Sequence, residues 1–363
     1  MGGLGVAGVG GLGVAGGRQR LPKTTNRAYY HGVVRRPISN QILLGILAVA
    51  AASVLWSTLG IFGKLFQQAG VSPLEAAALR ALFAFLSLAA TRPLWVRWFP
   101  PRQAMGIDSK SAPISFWRKI PFLALYGIVS LTGMYAFYFL AVARASVSMA
   151  VILLYTAPTL VLVMALLLGL ERFRPQRLIG ILLAFAGIAL LGSASLGGGD
   201  VWGFLAGLGA GLCYASYSIF GVYALRHLDQ GTINLWTMGF AALGFLPIWL
   251  IDPAGMWQIL STPWTLLLAI LMGLGPSAVS SGLYLWGLQR IPPSLASVNC
   301  TWEPVLGVTW GVLFFGDTLV PLQWLGGLLV VGSVAAVSWQ AARRIDSLTQ
   351  ARRGPYNRRR TGG

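Results

Sequence analysis

The chain has 363 residues, of which 56% are hydrophobic and only 10% charged, and its formal net charge is +18 at pH 7. A soluble domain carries about a quarter charged residues because its surface faces water, so this composition excludes an ordinary water-soluble globular protein. The basic residues stand in tails and short connections between long apolar runs, a distribution that reports membrane topology first and attraction to anionic lipid second, and that does not form the single basic face a nucleic-acid binder needs.

The chain opens on a direct repeat, Gly2 to Gly8 and Gly10 to Gly16, with no charge before it. A secretory signal needs a basic start and a helical apolar core, and glycine opposes that helix. Residues 1–41 are therefore expected to form a disordered basic tail.

About 20 apolar residues are needed to cross ~30 Å of hydrocarbon. Ten stretches qualify: 42–64, 73–91, 120–142, 147–170, 177–195, 201–224, 231–251, 263–288, 293–316 and 319–340. The Arg-rich residues 341–363 are expected to form a second disordered tail. Threading the ten spans back and forth puts 24 of the 27 Lys and Arg residues on one side, which makes that side, and both termini, cytoplasmic. Cys213 and Cys300 both fall inside apolar runs and offer neither a disulfide framework nor metal-ligand spacing.

An internal repeat runs through the spans. A shift of 146 positions aligns Gly127 with Gly273, Tyr138 with Tyr284, Arg144 with Arg290, Ser148 with Ser294, Pro158 with Pro304 and Gly180 with Gly326, and sets Glu171 on Asp317. A shift of 158 aligns Ile61-Phe62-Gly63 with Ile219-Phe220-Gly221 and Trp56 with Tyr214. Each half holds five spans, an odd number, so the second half enters the membrane from the opposite side. The expected fold is an all-α membrane protein of ten transmembrane helices in two inverted five-helix repeats, 42–195 and 196–340, an arrangement shared by many secondary transporters.

The run Pro73-Leu-Glu-Ala-Ala-Ala-Leu-Arg80, then Tyr138-Phe-Leu-Ala-Val-Ala-Arg-Ala145 leading through Ala157-Pro158 to Gly169-Leu-Glu171, resembles an EamA-type half of the drug/metabolite transporter superfamily. The stretches Tyr284 to Arg290, Glu303-Pro304 and Gly316-Asp317 repeat much of it. The resemblance covers roughly residues 42 to 340 and rests on loose apolar patterns. Asp317 departs from it by standing where Glu is usual, and Glu303 by preceding the proline. The resemblance implies movement of amino acids or related small metabolites, commonly export across a bacterial cytoplasmic membrane.

Pro158 and Pro304 fall near the middle of their spans and lack an N–H, so the carbonyls of Leu154 and Cys300 are expected to lose their helical partners. The paired breaks mark either a shared central site or kinks that shape packing. Glu303 is the sharpest candidate, because a carboxylate near mid-membrane costs on the order of 2.5–3.5 kcal/mol. It serves either as the binder of a proton or a cationic substrate group, or as a protonated structural hydrogen bond. Asn299, one turn earlier, is expected to help solvate it. Arg80 can meet a substrate carboxylate, pair with Glu75, or snorkel to the interface. Trp56, Tyr135, Tyr155, Tyr214 and Trp286 are candidate cavity walls, apolar but carrying hydrogen-bond donors. Glu171 and Asp317 read as turn or cap residues. The Gly203, Gly207 and Gly211 stripe allows close helix contact, either within the bundle or across a homodimer.

His31 and His227 lie outside the spans, and no paired intramembrane carboxylates occur, which argues against a membrane-embedded enzyme. No filter-like segment or ring of charges supports a channel. No nucleotide-binding signature appears, and no cofactor or metal is expected. The expected partners are a small-molecule substrate and the lipid bilayer, with anionic lipid at the basic tails, and no nucleic acid.

Overall fold

The computed structural model describes residues 38–93, 116–144, 147–191, 201–316 and 320–337, and all regular structure among them is helical. The readings of residues 1–37 and 341–363 as disordered, and of Asp317 as a cap, lie outside the described residues; residues 38–41, expected in the first tail, instead begin the first helix. Among the described residues, seven helices are long and apolar enough to cross a membrane, and a helical bundle is the expected way for an apolar chain to satisfy its backbone in lipid.

Helix α1 (Asn40–Gln68) bends at Thr58, whose Oγ1 donates to the Leu55 carbonyl at 2.7 Å. Gly70 then turns the chain at φ 79°, a left-handed angle that a residue without Cβ adopts without strain. Helix α2 (Pro73–Ala90) begins in a capping box: Ser72 Oγ accepts from Glu75 N at 3.4 Å, and Ser72 N donates to Glu75 Oε2 at 2.7 Å. Glu75 is thereby committed to its own helix end, and of the three uses open to Arg80 the pairing with Glu75 is not observed.

Helix α3 (Ile120–Arg144) contains a π-helical turn at Ile128–Gly133. The next span is divided into α4 (Val147–Leu154) and α5 (Ala157–Leu167), broken at Tyr155–Thr156, and α6 (Pro175–Leu191) follows. Helix α7 (Val201–Ala224) is the most enclosed, with 67% of its apolar window buried. Helix α8 (Gln230–Ile251) is capped by Asp229, whose Oδ1 accepts from Thr232 N at 2.9 Å. Helix α9 (Pro263–Leu288) carries a second π-helical turn at Leu274–Val279. The following span again divides, into α10 (Pro293–Asn299) and α11 (Trp302–Phe315), and α12 (Pro321–Val337) is the last described helix. The two π turns are offset by 146 residues, as the internal repeat of the sequence is, and the two breaks by 145.

Small residues bring the helices together, as expected where lipid supplies no hydrophobic drive between them. A Cβ on Gly187 would fall 2.6 Å from the Gly326 carbonyl, which locks α6 to α12. One on Gly287 would fall 2.5 Å from Val49 Cγ2, which locks α9 to α1. Gly207 and Gly211 of the stripe face Leu153 and Thr156, with Cβ positions 2.5 Å and 2.6 Å from their side chains. Of the two uses open to the stripe, these two residues serve contact within the bundle, pressing α7 onto the α4–α5 break.

Candidate functional site

The two broken spans converge, with α5 packing against α10. Each break is closed locally in the same way: Thr156 Oγ1 donates to the Leu153 carbonyl and Thr301 Oγ1 to the Val298 carbonyl, both at 2.7 Å. The expectation of two freed carbonyls needs correction at one of them. Cys300 O accepts from Glu303 N at 3.0 Å, because the chain tightens into a three-residue turn before the helix restarts.

Between the breaks lies a narrow, nearly closed cleft. Ala157, Pro158 and Val161 form one wall; Ser297 and Cys300 form another; Tyr155, Tyr214, Ser218 and Tyr284 supply the polar atoms. Tyr284 and Ser218 share a short hydroxyl–hydroxyl bond. Tyr284 also stacks on Tyr217 at 5.4 Å and meets Trp56 at 5.3 Å, so buried Trp56 backs the aromatic wall from α1.

Glu303 adjoins this cleft. It sits deep in the bundle, ringed by Tyr155, Arg80 and Tyr214, yet part of its surface stays accessible. Tyr138 is also within its electrostatic reach. Tyr214 Oη is buried beside the carboxylate and Cys300.

Arg80 reaches the same region from α2. Its Nε donates to Ser277 Oγ at 2.9 Å, its guanidinium lies 5.0 Å from the centre of the Tyr135 ring, and it faces Glu303 electrostatically. The π turn of α9 is what presents Ser277: the widened turn lets Ser277 Oγ donate to Met272 O, five residues back, at 2.8 Å while accepting from Arg80. Arg80 therefore does not snorkel to the interface.

Trp56, Arg80, Tyr135, Tyr155, Tyr214, Glu303 and Pro158 are thus gathered around one centre, with Pro304 beside Glu303. Trp286 is not among them. It lies under the Arg290 guanidinium, 3.4 Å from the ring centre, and Arg290 Nη1 donates to Trp286 O at 2.7 Å. Residues two apart on a helix point about 200° apart, so once Tyr284 faces the centre Trp286 cannot. Asn299 Nδ2 donates to Leu295 O at 2.8 Å, and the break at Cys300–Thr301 interrupts the helix between Asn299 and Glu303.

Sequence reasoning missed Tyr217, Ser218, Ser277, Ser297, Cys300, Tyr138 as a neighbour of Glu303 and Tyr284 as a wall residue. For the last two the signal was present, since they are mates in the 146-residue repeat. Glu171 does act as a cap, but for a distant segment: its carboxylate accepts from Ser294 N at 2.9 Å and Ser294 Oγ at 2.6 Å, at the start of α10. Among the described residues, no group of three or more His, Cys, Asp or Glu stands close enough to share a metal ion.

The EamA-like transporter family model matches residues 43–193 and 201–339, which together span most of the chain and meet between α6 and α7. The chain belongs to the EamA-like transporter family. It is similar to an uncharacterized transporter of Archaeoglobus fulgidus, with 26% identity over 82% of this chain and 96% of that protein. It is also similar to the threonine/homoserine exporter RhtA of Escherichia coli, with 31% identity over 61% of this chain and 70% of RhtA. The aromatic amino acid exporter YddG of Ancylobacter novellus is 28% identical over 67% of this chain and 82% of YddG. A solved crystal structure shares the fold, with a TM-score of 0.65 at 24% identity over 84% of this chain and 97% of that one. This EamA-like protein is accordingly a multi-pass membrane transporter of small molecules and not an enzyme.

Proposed function

We propose that the protein exports an amino acid or a closely related zwitterionic metabolite across the cytoplasmic membrane by alternating access, with Glu303 carrying the coupling proton. The observation that carries this reading is the pair Arg80 and Glu303: opposite charges from different helices, both deep in the bundle beside the cleft between two broken spans. A guanidinium suits a substrate carboxylate through paired hydrogen bonds. A carboxylate suits an ammonium group or a proton. Tyr155, Tyr214 and Tyr284 supply hydroxyls for what lies between. The relatives named above as amino acid exporters support the same substrate class and direction.

The mechanism rests on ten spans in two inverted halves, 42–195 and 196–340, with both termini in the cytoplasm of a cell whose inner membrane holds the protein. The matching offset of the π turns and of the breaks supports the repeat. Two contacts support the topology, because each joins segments the charge rule puts on the cytoplasmic side: Lys119 Nζ to His227 O at 2.8 Å, and Glu171 to Ser294. Anionic lipid is the expected neighbour of that basic side. A homodimer gains no support from the glycine stripe, whose Gly207 and Gly211 are occupied inside the bundle.

The test is transport of a labelled amino acid panel into and out of proteoliposomes, with and without a pH gradient. Saturable counterflow of at least one amino acid is expected. Flux that fails to saturate, or the absence of counterflow for every compound, refutes the carrier reading.

A further inference from the structure

Among the described residues, a buried charged cluster is left over once the central cleft is accounted for. The turn after α5 is held by Gly169 at φ 64° and by Leu170 N donating to Ala165 O at 2.8 Å, which fixes Glu171 pointing back into the protein. There its carboxylate pairs with Arg177 of α6 and accepts from both Ser294 N and Ser294 Oγ at the start of α10. Arg177 Nη1 donates to Ser294 Oγ as well, at 2.9 Å, so the three residues close a ring. The pair is screened from solvent, with side chains 11% and 3% exposed for Arg177 and Glu171. A surface pair contributes little, whereas a buried pair with its remaining hydrogen bonds satisfied resists loss of either partner.

What the ring joins is as telling as its burial. Helix α5 carries Ala157, Pro158 and Val161, and α10 with the break after it carries Ser297 and Cys300, which are opposite walls of the cleft. The ring ties the far end of α5 to the near end of α10. Nothing can enter the cleft between these two helices from that side until they part there, and parting them breaks the three hydrogen bonds to Ser294, two to Glu171 and one from Arg177, while the ion pair stays behind with α5 and α6.

We infer that Glu171, Arg177 and Ser294 form a clasp that closes the cytoplasmic entrance of the cleft and opens in each transport cycle. The inference rests on the alternating-access reading above and adds to it the group that holds one of its two states. The clasp is a positioning device: it sets the balance between closed and open forms and does not touch the substrate. A clasp of this kind works by biasing a two-state equilibrium, so weakening it raises the open fraction without altering the cleft.

Cys300 lines the cleft and reports its opening. In a Cys213→Ala background it is the chain's remaining cysteine, and an impermeant maleimide added to inside-out membrane vesicles reaches it from the cytoplasmic face alone. Glu171→Gln removes the charge that holds Arg177, and labelling of Cys300 is expected to rise roughly tenfold, within the range of typical coupling between sites. Ser294→Ala removes one hydroxyl at a fully buried position and leaves the Ser294 N bond to Glu171 in place. It is expected to give a smaller rise, and it decides the matter if Glu171→Gln does not insert. Unchanged labelling in inserted, monodisperse Ser294→Ala and Glu171→Gln proteins overturns the clasp, even if both transport normally. Faster labelling without transport of any amino acid leaves the clasp standing and overturns the substrate reading.

Discussion

The contact between α7 and the α4–α5 break gives a prediction whose size follows from distances. A Cβ built on Gly211 would fall 2.6 Å from Thr156 Oγ1, 2.8 Å from Leu153 O and 3.3 Å from Leu154 O, where ordinary contact begins at 3.4 Å. Neither near atom is free to give way. Leu153 O is backbone, and Thr156 Oγ1 is held by its bond to that carbonyl. Relieving the 2.8 Å contact alone requires a shift of about 0.6 Å between the helices, and overpacking of this order costs about 1–3 kcal/mol. Gly63, in α1, has nothing within 4 Å of its Cβ position. There Gly63→Ala brings only the gain in helix propensity, about 0.5–1 kcal/mol. The same propensity gain accrues at Gly211 and cancels, so Gly211→Ala is expected to be less stable than Gly63→Ala by roughly 1–3 kcal/mol. The comparison is made by thermal unfolding in detergent, followed by tryptophan fluorescence. The displaced break borders the cleft, so Gly211→Ala should also transport more slowly. If Gly211→Ala unfolds at or above the midpoint of Gly63→Ala, the close approach of α7 to the break is refuted.

Three further outcomes are expected. Arg80→Leu removes the cation that faces Glu303 and should lower amino acid transport at least about tenfold, as loss of a buried charge partner does; transport kept within twofold contradicts a role for Arg80 at the cleft. Ser277→Ala removes the acceptor of Arg80 Nε, a bond worth about 1–3 kcal/mol for a charged donor, and should raise the substrate concentration giving half-maximal transport, with folding intact by gel filtration. His227, in the α7–α8 connection, is held below the ordinary histidine range by burial and by Lys119 and Arg226. The unfolded chain then takes up a proton more readily than the folded one, so stability falls as pH drops through about 6.5. Unfolding midpoints measured across that window should show a smaller acid-side loss for Lys119→Gln, and an identical profile counts against the cluster.

The helices were the most legible part of the sequence. Expected spans 73–91, 201–224 and 263–288 coincide with Pro73–Ala90, Val201–Ala224 and Pro263–Leu288 because apolar runs bounded by proline or by charged connections leave little freedom. The two central prolines announced the broken spans, although each break sits just before its proline, where threonine hydroxyls close the turn. Glu303 and Arg80 could be singled out since charge in an apolar run is rarely idle. Their neighbours were harder to see. Ser277 reaches Arg80 only because a π turn displaces it, and nothing in the local sequence marks that turn. Trp286 was misplaced since aromatic residues suit both cavity walls and span ends, and only helix phase separates the two uses. Ser294, which Glu171 caps, lies 123 residues away from it, beyond any local pattern.

The most direct measurement is pH-gradient-driven accumulation alongside counterflow in proteoliposomes holding wild-type or Glu303→Gln protein. With the proton site removed and the cleft kept, counterflow of a substrate amino acid should persist while accumulation driven by the gradient disappears. Gradient-driven accumulation that survives the substitution at the wild-type level would contradict the assignment of Glu303, and with it the coupled carrier built around the cleft.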